Sequence, residues 1–404
     1  MIAYHFPPIQ GSSGVHRTVQ FARHLPEFGW EPLIVTVHPR AYPEIGKDWF
    51  GGLPESVVIK RAQAFDSARH LSFRNRYLDL TAVPDRWVTW WPHGVFACLE
   101  LIRKYKPSVI WSTFPIASAH LIALTVQRLT GLPWLADFRD PMIQERQPAP
   151  GITRKAYQWI EQKAIEHASS AVFVTQSALT HHEQKYPFQP CGFWQLLENG
   201  YDESLFQIGE SIPKKATQRK TIKLLHSGIL YSKGRNPIAL FEALKAFAGN
   251  GTLPVELILR SAGTQIDLEQ KVVSMGLEET VKIEPPVSYD EAILEMVNAD
   301  ALVLFQGPEF NKQIPAKAYE YIRAGRPILA LVDQNGETAR FLNSWDGVYP
   351  CDISSPGSIG EALGQLIKAL RKGQHPKRRT DKVERLSREH ITSRLALVLD
   401  QLVD

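Results

Sequence analysis

Short apolar runs recur along this chain, and each is followed by a stretch with helical periodicity. The first series reads MIAYHF (1–6), PLIVTV (32–37), SVVIKR (56–61), SVIWST (108–113), PWLADF (133–138) and SAVFVT (170–175). A second begins at TIKLLHSG (221–228) and continues through VELILRSAG (255–263), VKIEPPV (281–287), ALVLFQ (301–306) and PILALV (327–332). Helical patterns fall between them, over 14–28, 236–248, 289–298 and 316–323 among others. Strands alternating with helices require a parallel sheet with both faces covered. The 404 residues exceed what one core encloses, so two doubly wound domains are expected. A polar stretch, PKKATQRK (213–220), separates the two series. The terminal segment 382–403 places Val383, Leu386, Ile391, Leu395, Val398 and Leu402 on one helical face, which must pack on something.

Composition excludes several classes. The 44% hydrophobic and 22% charged content is globular rather than disordered. A net charge of +4 with no zinc-finger spacing or aromatic RNA-binding motif gives no reason to expect a nucleic-acid partner. Cys98, Cys191 and Cys351 are odd in number and far apart, which fits a reducing cytoplasm. No apolar run reaches membrane-spanning length, and MIAYHFPP reads as a strand rather than a secretion leader.

Ligands of doubly wound sheets bind outside the carboxyl ends of the strands, so polar residues there are the site candidates. GSSGVHR (11–17) follows the first strand and opens a helix. Gly11, Ser12, Ser13 and Gly14 would let backbone approach an anion, with Arg17 nearby; plain strand–helix packing explains the glycines equally well. The spacing is not a dinucleotide fingerprint, which disfavours a dehydrogenase. ADFRDPM (136–142) places Asp137, Arg139 and Asp140 at a strand end, either as a polar cluster at a cleft floor or as an Arg–Asp pair pinning a loop. LLENGYDESLF (196–206) contains an Asn-Gly turn signal and reads as structure at the domain crossover. In HSGILYSKGRNP (226–237), Lys233 and Arg235 are either phosphate-facing cations or solvated surface charge. IPAKAYEYIRAGRPILAL (314–331) is the most specific stretch. Glu320 can accept two hydrogen bonds from a vicinal diol, and Lys317 shares its helical face; a local Lys–Glu pair is the plainer reading. RWVTWWPHGV (86–95), near Arg69, Arg74, Arg76 and Arg86, reads either as a membrane-surface contact through Trp87, Trp90 and Trp91 or as core cover.

Taken together, YHFPPIQGSSGVHR, ADFRDP, LENGYD, HSGILY and IPAKAYEYIRAGRPILAL resemble bacterial GT-B fold glycosyltransferases of family 4, over nearly the whole chain. The resemblance implies an α/β fold of two Rossmann-like domains facing across a cleft. Residues 1–205 would form the acceptor-side domain, with 382–404 packing back on it, and 206–381 the nucleotide-sugar domain. It implies a retaining transfer of a sugar from a nucleotide donor to an acceptor hydroxyl in cell-surface polysaccharide or lipid-linked glycan assembly. The location would be cytoplasmic, with a peripheral membrane contact in view. Glu320 would bind the donor ribose, and Arg139 and Asp140, with Asp137 beside them, would stand in the catalytic region. Ile314, Pro315 and Ala316 at the helix start, with Lys317, Lys233 and Arg235, would meet the diphosphate.

Two positions depart from the family pattern. Lys312 stands where a second glutamate is usual, and Ile229 where an arginine often follows the strand glycine. The alternatives are a catalytically inactive nucleotide-sugar-binding subunit and a GT-B epimerase or hydrolase. No two aspartates are separated by a single residue, and no cluster has ligand spacing, so no metal or other cofactor is expected.

Overall fold

The computed structural model describes residues 1–9, 14–46, 52–70, 82–144, 148–211, 221–248, 255–376 and 380–403. Gly11, Ser12, Ser13, Arg74, Arg76 and the 213–220 stretch lie outside the described residues.

The chain divides into two units, Met1–Glu198 with Arg388–Asp404, and Asn199–Ser387. The crossing points differ from the expected 205 and 381. Tyr201 donates its N–H to the Leu386 carbonyl and its hydroxyl to that of Val383. Glu203 pairs with the buried Arg323, its carboxylate 2.6 Å from Nε. These bonds draw residues after Glu198 into the second unit. The terminal segment is accordingly two helices rather than one. Asp381–Glu384 stays with the second unit, and Arg388–Asp400 returns to the first. There Ile391, Leu395, Val398 and Leu399 pack with Ala3, Phe21, Leu25 and Trp111.

In the first unit the strands are β1 (Leu33–Val37), β2 (Val58–Ala62), β3 (Ile110–Thr113), β4 (Trp134–Arg139), β5 (Ser170–Phe173) and β6 (Trp194–Leu196). All pair in parallel. Ile2 bridges Val35 on one side and Ser112 on the other, so the opening segment is the central strand. The order is therefore β2, β1, the opening segment, β3, β4, β5, β6. The expected 14–28 helix is α-helical over Gly14–His24 and a 3-10 turn over Leu25–Phe28. Pro26 has no N–H to continue the α ladder.

The second unit holds β7 (Ile222–Ser227), β8 (Val255–Arg260), β9 (Val281–Glu284), β10 (Ala301–Gln306), β11 (Ile328–Val332) and β12 (Val348–Asp352), all parallel in the order β12-β11-β10-β7-β8-β9. β10 and β11 are buried along their whole length, as their unbroken apolar sequences require. The sequence reading lacked β6 and β12. Both are edge strands, exposed enough to lack a continuous apolar run, and Pro350 sits in β12.

Each unit therefore reverses its strand order beside its first strand. That point lies between the opening segment and β3 in one unit, and between β7 and β10 in the other. Loops leaving the carboxyl ends there diverge and leave room for a ligand.

Two of the three clustered tryptophans belong to the first core. Trp90 is fully buried, and Tyr4 packs on Trp87 with ring centroids 4.6 Å apart. Arg86 is paired with the buried Asp66. Trp91 remains partly exposed, its indole bonded to Thr125 Oγ at 2.9 Å. The expected interfacial cluster is thus mostly core, because helix Trp90–Tyr105 turns Trp90 inward. Among the described residues no helix is long and apolar enough to cross a membrane.

Candidate active site

In the first unit, β4 delivers the DFRD sequence to the reversal point. Asp137 is completely buried, and both its oxygens are held by Arg17, at 2.7 Å from Nε and 3.3 Å from Nη2. The same guanidinium donates to the carbonyls of Leu197 (3.1 Å) and Glu198 (3.0 Å). A buried pair this fully bonded fixes helix Gly14–His24 to β4 and to the end of the unit. The Arg–Asp pair that pins this region is Arg17–Asp137, joining two motifs 120 residues apart, rather than a pair within DFRD.

Arg139 and Asp140 are placed differently. The β4–β5 register shifts between Asp137 and Arg139, and Arg139 sits in the left-handed region at φ 62°. Such backbone is costly away from glycine and clusters at functional sites. The Arg139 side chain makes one long bond, 3.4 Å to the Phe114 carbonyl. Burial, with Arg17 nearby, lowers its pKa. Burial likewise raises the Asp140 carboxyl, with Arg139 and Arg17 opposing the rise. His5, which the sequence reading passed over, completes the group. A Cβ on Gly14 would fall 2.5 Å from His5 Nδ1 and 3.3 Å from Arg139 Nη1, so glycine lets all three converge. His5 Nδ1 is buried without a hydrogen-bond partner, and burial lowers the imidazole to about 4. Next to Arg139 it is a neutral acceptor at pH 7.

In the second unit, β7 ends in His226, Ser227 and Gly228. Gly228 has φ 127°, and a Cβ there would collide with Lys317 Nζ. The glycine thus serves two purposes, the turn out of β7 and the seat of an ammonium. Lys317 is the second residue of helix Ala316–Ala324, whose N-cap, Pro315, contributes no side-chain cap. Ile314 is buried beneath this helix start, and Lys312 is exposed. Burial and the neighbouring Arg235 lower Lys317 to about 7, against the opposing pull of Glu320. Arg235 lies against the rings of Phe310 (4.8 Å) and Tyr231 (5.3 Å), its Nε 3.1 Å from Gln306 Oε1. Lys233 is exposed. Glu320 is buried at 6% exposure, one turn along from Lys317, and accepts a hydrogen bond from the Tyr289 hydroxyl. Gly325 ends the helix at φ 61° and releases the chain into β11.

Two further side chains converge here. His226 donates through Nδ1 to the Val303 carbonyl at 2.8 Å, so its Nε2 is the unprotonated nitrogen, and Nε2 has no partner. Burial and the Lys317 charge push this imidazole well below its usual pKa. The Gln306 amide Nε2 is also buried and unpartnered. Polar residues closing the apolar strands KLLHS and ALVLFQ were the legible signal for both. The combination of two cations, an open helix N-terminus and a carboxylate suits a diphosphate followed by a vicinal diol. No three His, Cys, Asp or Glu side chains converge as metal ligands among the described residues.

Comparison with known proteins identifies a domain and a fold. Residues 13–189 match the glycosyl transferase 4-like domain. No curated protein matches the sequence. Solved structures do. Sucrose-phosphate synthase from Thermosynechococcus elongatus is 14% identical with a TM-score of 0.67, over 99% of this chain and 98% of that one. Anabaena HepE, in complex with UDP and glucose, is 14% identical with a TM-score of 0.66, over 99% of both chains. WaaG, a glycosyltransferase involved in lipopolysaccharide biosynthesis, is 14% identical with a TM-score of 0.56, over 100% of this chain and 98% of that one. At these identities the structural likeness speaks to fold, and the matched domain speaks to family. The chain thus carries a glycosyl transferase 4-like domain over residues 13–189 and shares the GT-B fold with solved structures along its whole length.

Proposed function

We propose that this protein transfers a sugar, with retention of configuration, from a nucleotide diphosphate donor to an acceptor hydroxyl. The observation that carries the reading is the group at the β7–β10 reversal: Lys317 over Gly228, Arg235 beside Gln306, and Glu320 one helical turn from Lys317. Glu320 accepts the two ribose hydroxyls. The helix N-terminus at Ala316, with Lys317 and Arg235, meets the diphosphate. Exposed Lys233 joins as a mobile charge. The bond that breaks joins the sugar to the diphosphate, and the negative charge left on the leaving group is what these cations stabilise. The acceptor side is the first unit, where Arg139, Asp140 and His5 offer hydrogen-bonding groups to a glycan or lipid-linked acceptor. HepE is described with UDP and glucose and WaaG in lipopolysaccharide biosynthesis, which supports a nucleotide-sugar donor and a surface-glycan product.

The same cations argue for turnover without a divalent metal. The test is donor turnover, over a panel of nucleotide sugars, in excess EDTA beside a Lys317→Met/Arg235→Met variant. Chelation should leave the rate unchanged. The double variant should lose a hundredfold or more, on the order of 3 kcal/mol. Activity abolished by EDTA and restored by magnesium or manganese would overturn the metal-free reading. Donor binding without turnover, with any acceptor, would favour an inactive binding subunit, the reading that the exposed Lys312 keeps in view.

A further inference from the structure

Helix Tyr289–Asn298 touches the donor group through its first side chain. The Tyr289 hydroxyl donates to Glu320 Oε1, across 31 residues of sequence and within one unit. Tyr289 is half-buried, and Glu320 is nearly sealed from solvent.

The backbone that carries this phenol is held at both ends of its helix. Ser288 caps the helix at the Glu291 N–H, and the Glu291 carboxylate returns to the Ser288 N–H at 3.0 Å. Arg260, which closes β8, reaches the Pro285 carbonyl at 2.9 Å and Glu295 Oε2 at 2.9 Å. It therefore holds both the loop leading into the helix and the helix itself. At the far end Arg326 Nε donates to the Val297 carbonyl at 3.0 Å, one of the carbonyls a helix terminus leaves free. Arg326 directly follows Gly325, which ends helix Ala316–Ala324. The turn that closes the Glu320 helix thus also ties down the Tyr289 helix, and the two side chains meet between fixed supports.

This matters for what Glu320 can do. The terminal torsion of a glutamate is broad, so its carboxylate plane is set by whatever bonds it. Accepting two vicinal hydroxyls together requires one orientation of that plane. An ionised carboxylate offers about four lone-pair positions, so a bond from Tyr289 leaves room for both hydroxyls. A hydroxyl donating to a charged oxygen is also among the stronger bonds available.

We propose that Tyr289 is a positioning residue: its hydroxyl fixes the Glu320 carboxylate in the orientation that accepts both ribose hydroxyls of the donor. The proposal rests on the donor reading of Glu320 given above and adds a selectivity to it. Ribose presents two adjacent hydroxyls and 2′-deoxyribose only one, so the pair selects ribonucleotides, and Tyr289 controls how strongly.

The test is calorimetric binding of UDP, GDP and ADP, each beside its 2′-deoxy counterpart, to the 404-residue protein. For whichever diphosphate binds best, the ribo form should be preferred by roughly tenfold or more. Tyr289→Phe should erase most of that preference, weakening the ribo form roughly tenfold and the deoxy form about twofold, with the urea midpoint in place. Glu320→Ala should remove the preference, and adding Tyr289→Phe to it should cost nothing further, because the phenol acts through the carboxylate. Equal weakening of both forms by Tyr289→Phe would make the phenol a packing group and overturn the proposal. So would a further loss in the double variant, or a wild-type preference in Tyr289→Phe where Glu320→Ala has none. In each of those cases the donor reading of Glu320 stands. A preference that survives Glu320→Ala, or no binding of any of the diphosphates, would instead overturn the donor reading and the proposal with it.

Discussion

The two units share a strand order, yet they treat the charges at their reversal points in opposite ways. In the first, Arg17 and Asp137 are spent on each other, with every Asp137 oxygen bonded and both side chains sealed from solvent. In the second, Lys317 and Arg235 are crowded together, and His226 Nε2 and Gln306 Nε2 are buried without partners. The first arrangement holds a fold. The second leaves buried hydrogen-bonding capacity unmet, which the proposed donor would relieve. The Arg17–Asp137 pair thus serves stability, while Lys317 and Arg235 in the second unit, like His5 and Arg139 in the first, are left without an opposite charge bonded to them. What separates them is whether an opposite charge arrives from elsewhere in the chain.

The sharpest way to break this comparison is at Asp137. Asp137→Ala leaves the Arg17 guanidinium buried without its counter-charge, and should cost about 3–5 kcal/mol of stability. Urea unfolding checks it, and a variant within 1 kcal/mol of wild type would mean the pair is not structural. Next comes Glu320→Gln, which should leave the unfolding curve in place and slow transfer by roughly 30- to 1000-fold, about 2–4 kcal/mol in the transition state. Rate and donor affinity at wild-type levels would remove Glu320 from the ribose. Gly228→Ala should follow, with the new methyl displacing Lys317 and the φ of 127° strained. A loss of about 1–3 kcal/mol in donor affinity by calorimetry is expected. Unchanged affinity would separate Lys317 from the phosphates.

The smallest expected effect is a pH dependence. The free-protein pKa of Lys317 is about 7, lowered chiefly by burial, and a bound diphosphate would raise it. Donor affinity should therefore be full below pH 7 and decline as pH rises above it, by up to tenfold per pH unit. Lys317→Arg should flatten that decline. Folding stability runs the other way. The depressed pKa disfavours the folded state while the lysine is charged in the unfolded chain, so this contribution eases as pH rises from about 7 towards the ordinary lysine value.

Periodicity carried most of the fold. Long apolar runs such as ALVLFQ and PILALV have one physical solution, a parallel strand buried on both faces, and they sit where their pattern places them. Edge strands β6 and β12 escaped because one exposed side relieves the demand for apolar residues. Glu320 and Lys317 were legible because helix, glycine and strand follow one another within a dozen residues. His5 was not, and His226 showed only as a polar residue closing an apolar strand, since each gains its meaning from partners distant in sequence: Gly14 and Arg139 for one, Val303 and Lys317 for the other.

Local pattern, which depends on backbone period and turn chemistry, was thus settled by the sequence: two doubly wound units, the glycine that closes helix Ala316–Ala324, and the strand ends where charges gather. Which charges neutralise one another was settled only by the tertiary structure. Asp137 and Arg139 are two residues apart on one strand, yet one is bonded to Arg17 through both oxygens and the other holds a single long bond at a register shift. Electrostatic pairing depends on distance through space and on exclusion of water, and both are set by elements that meet only when the sheet has formed.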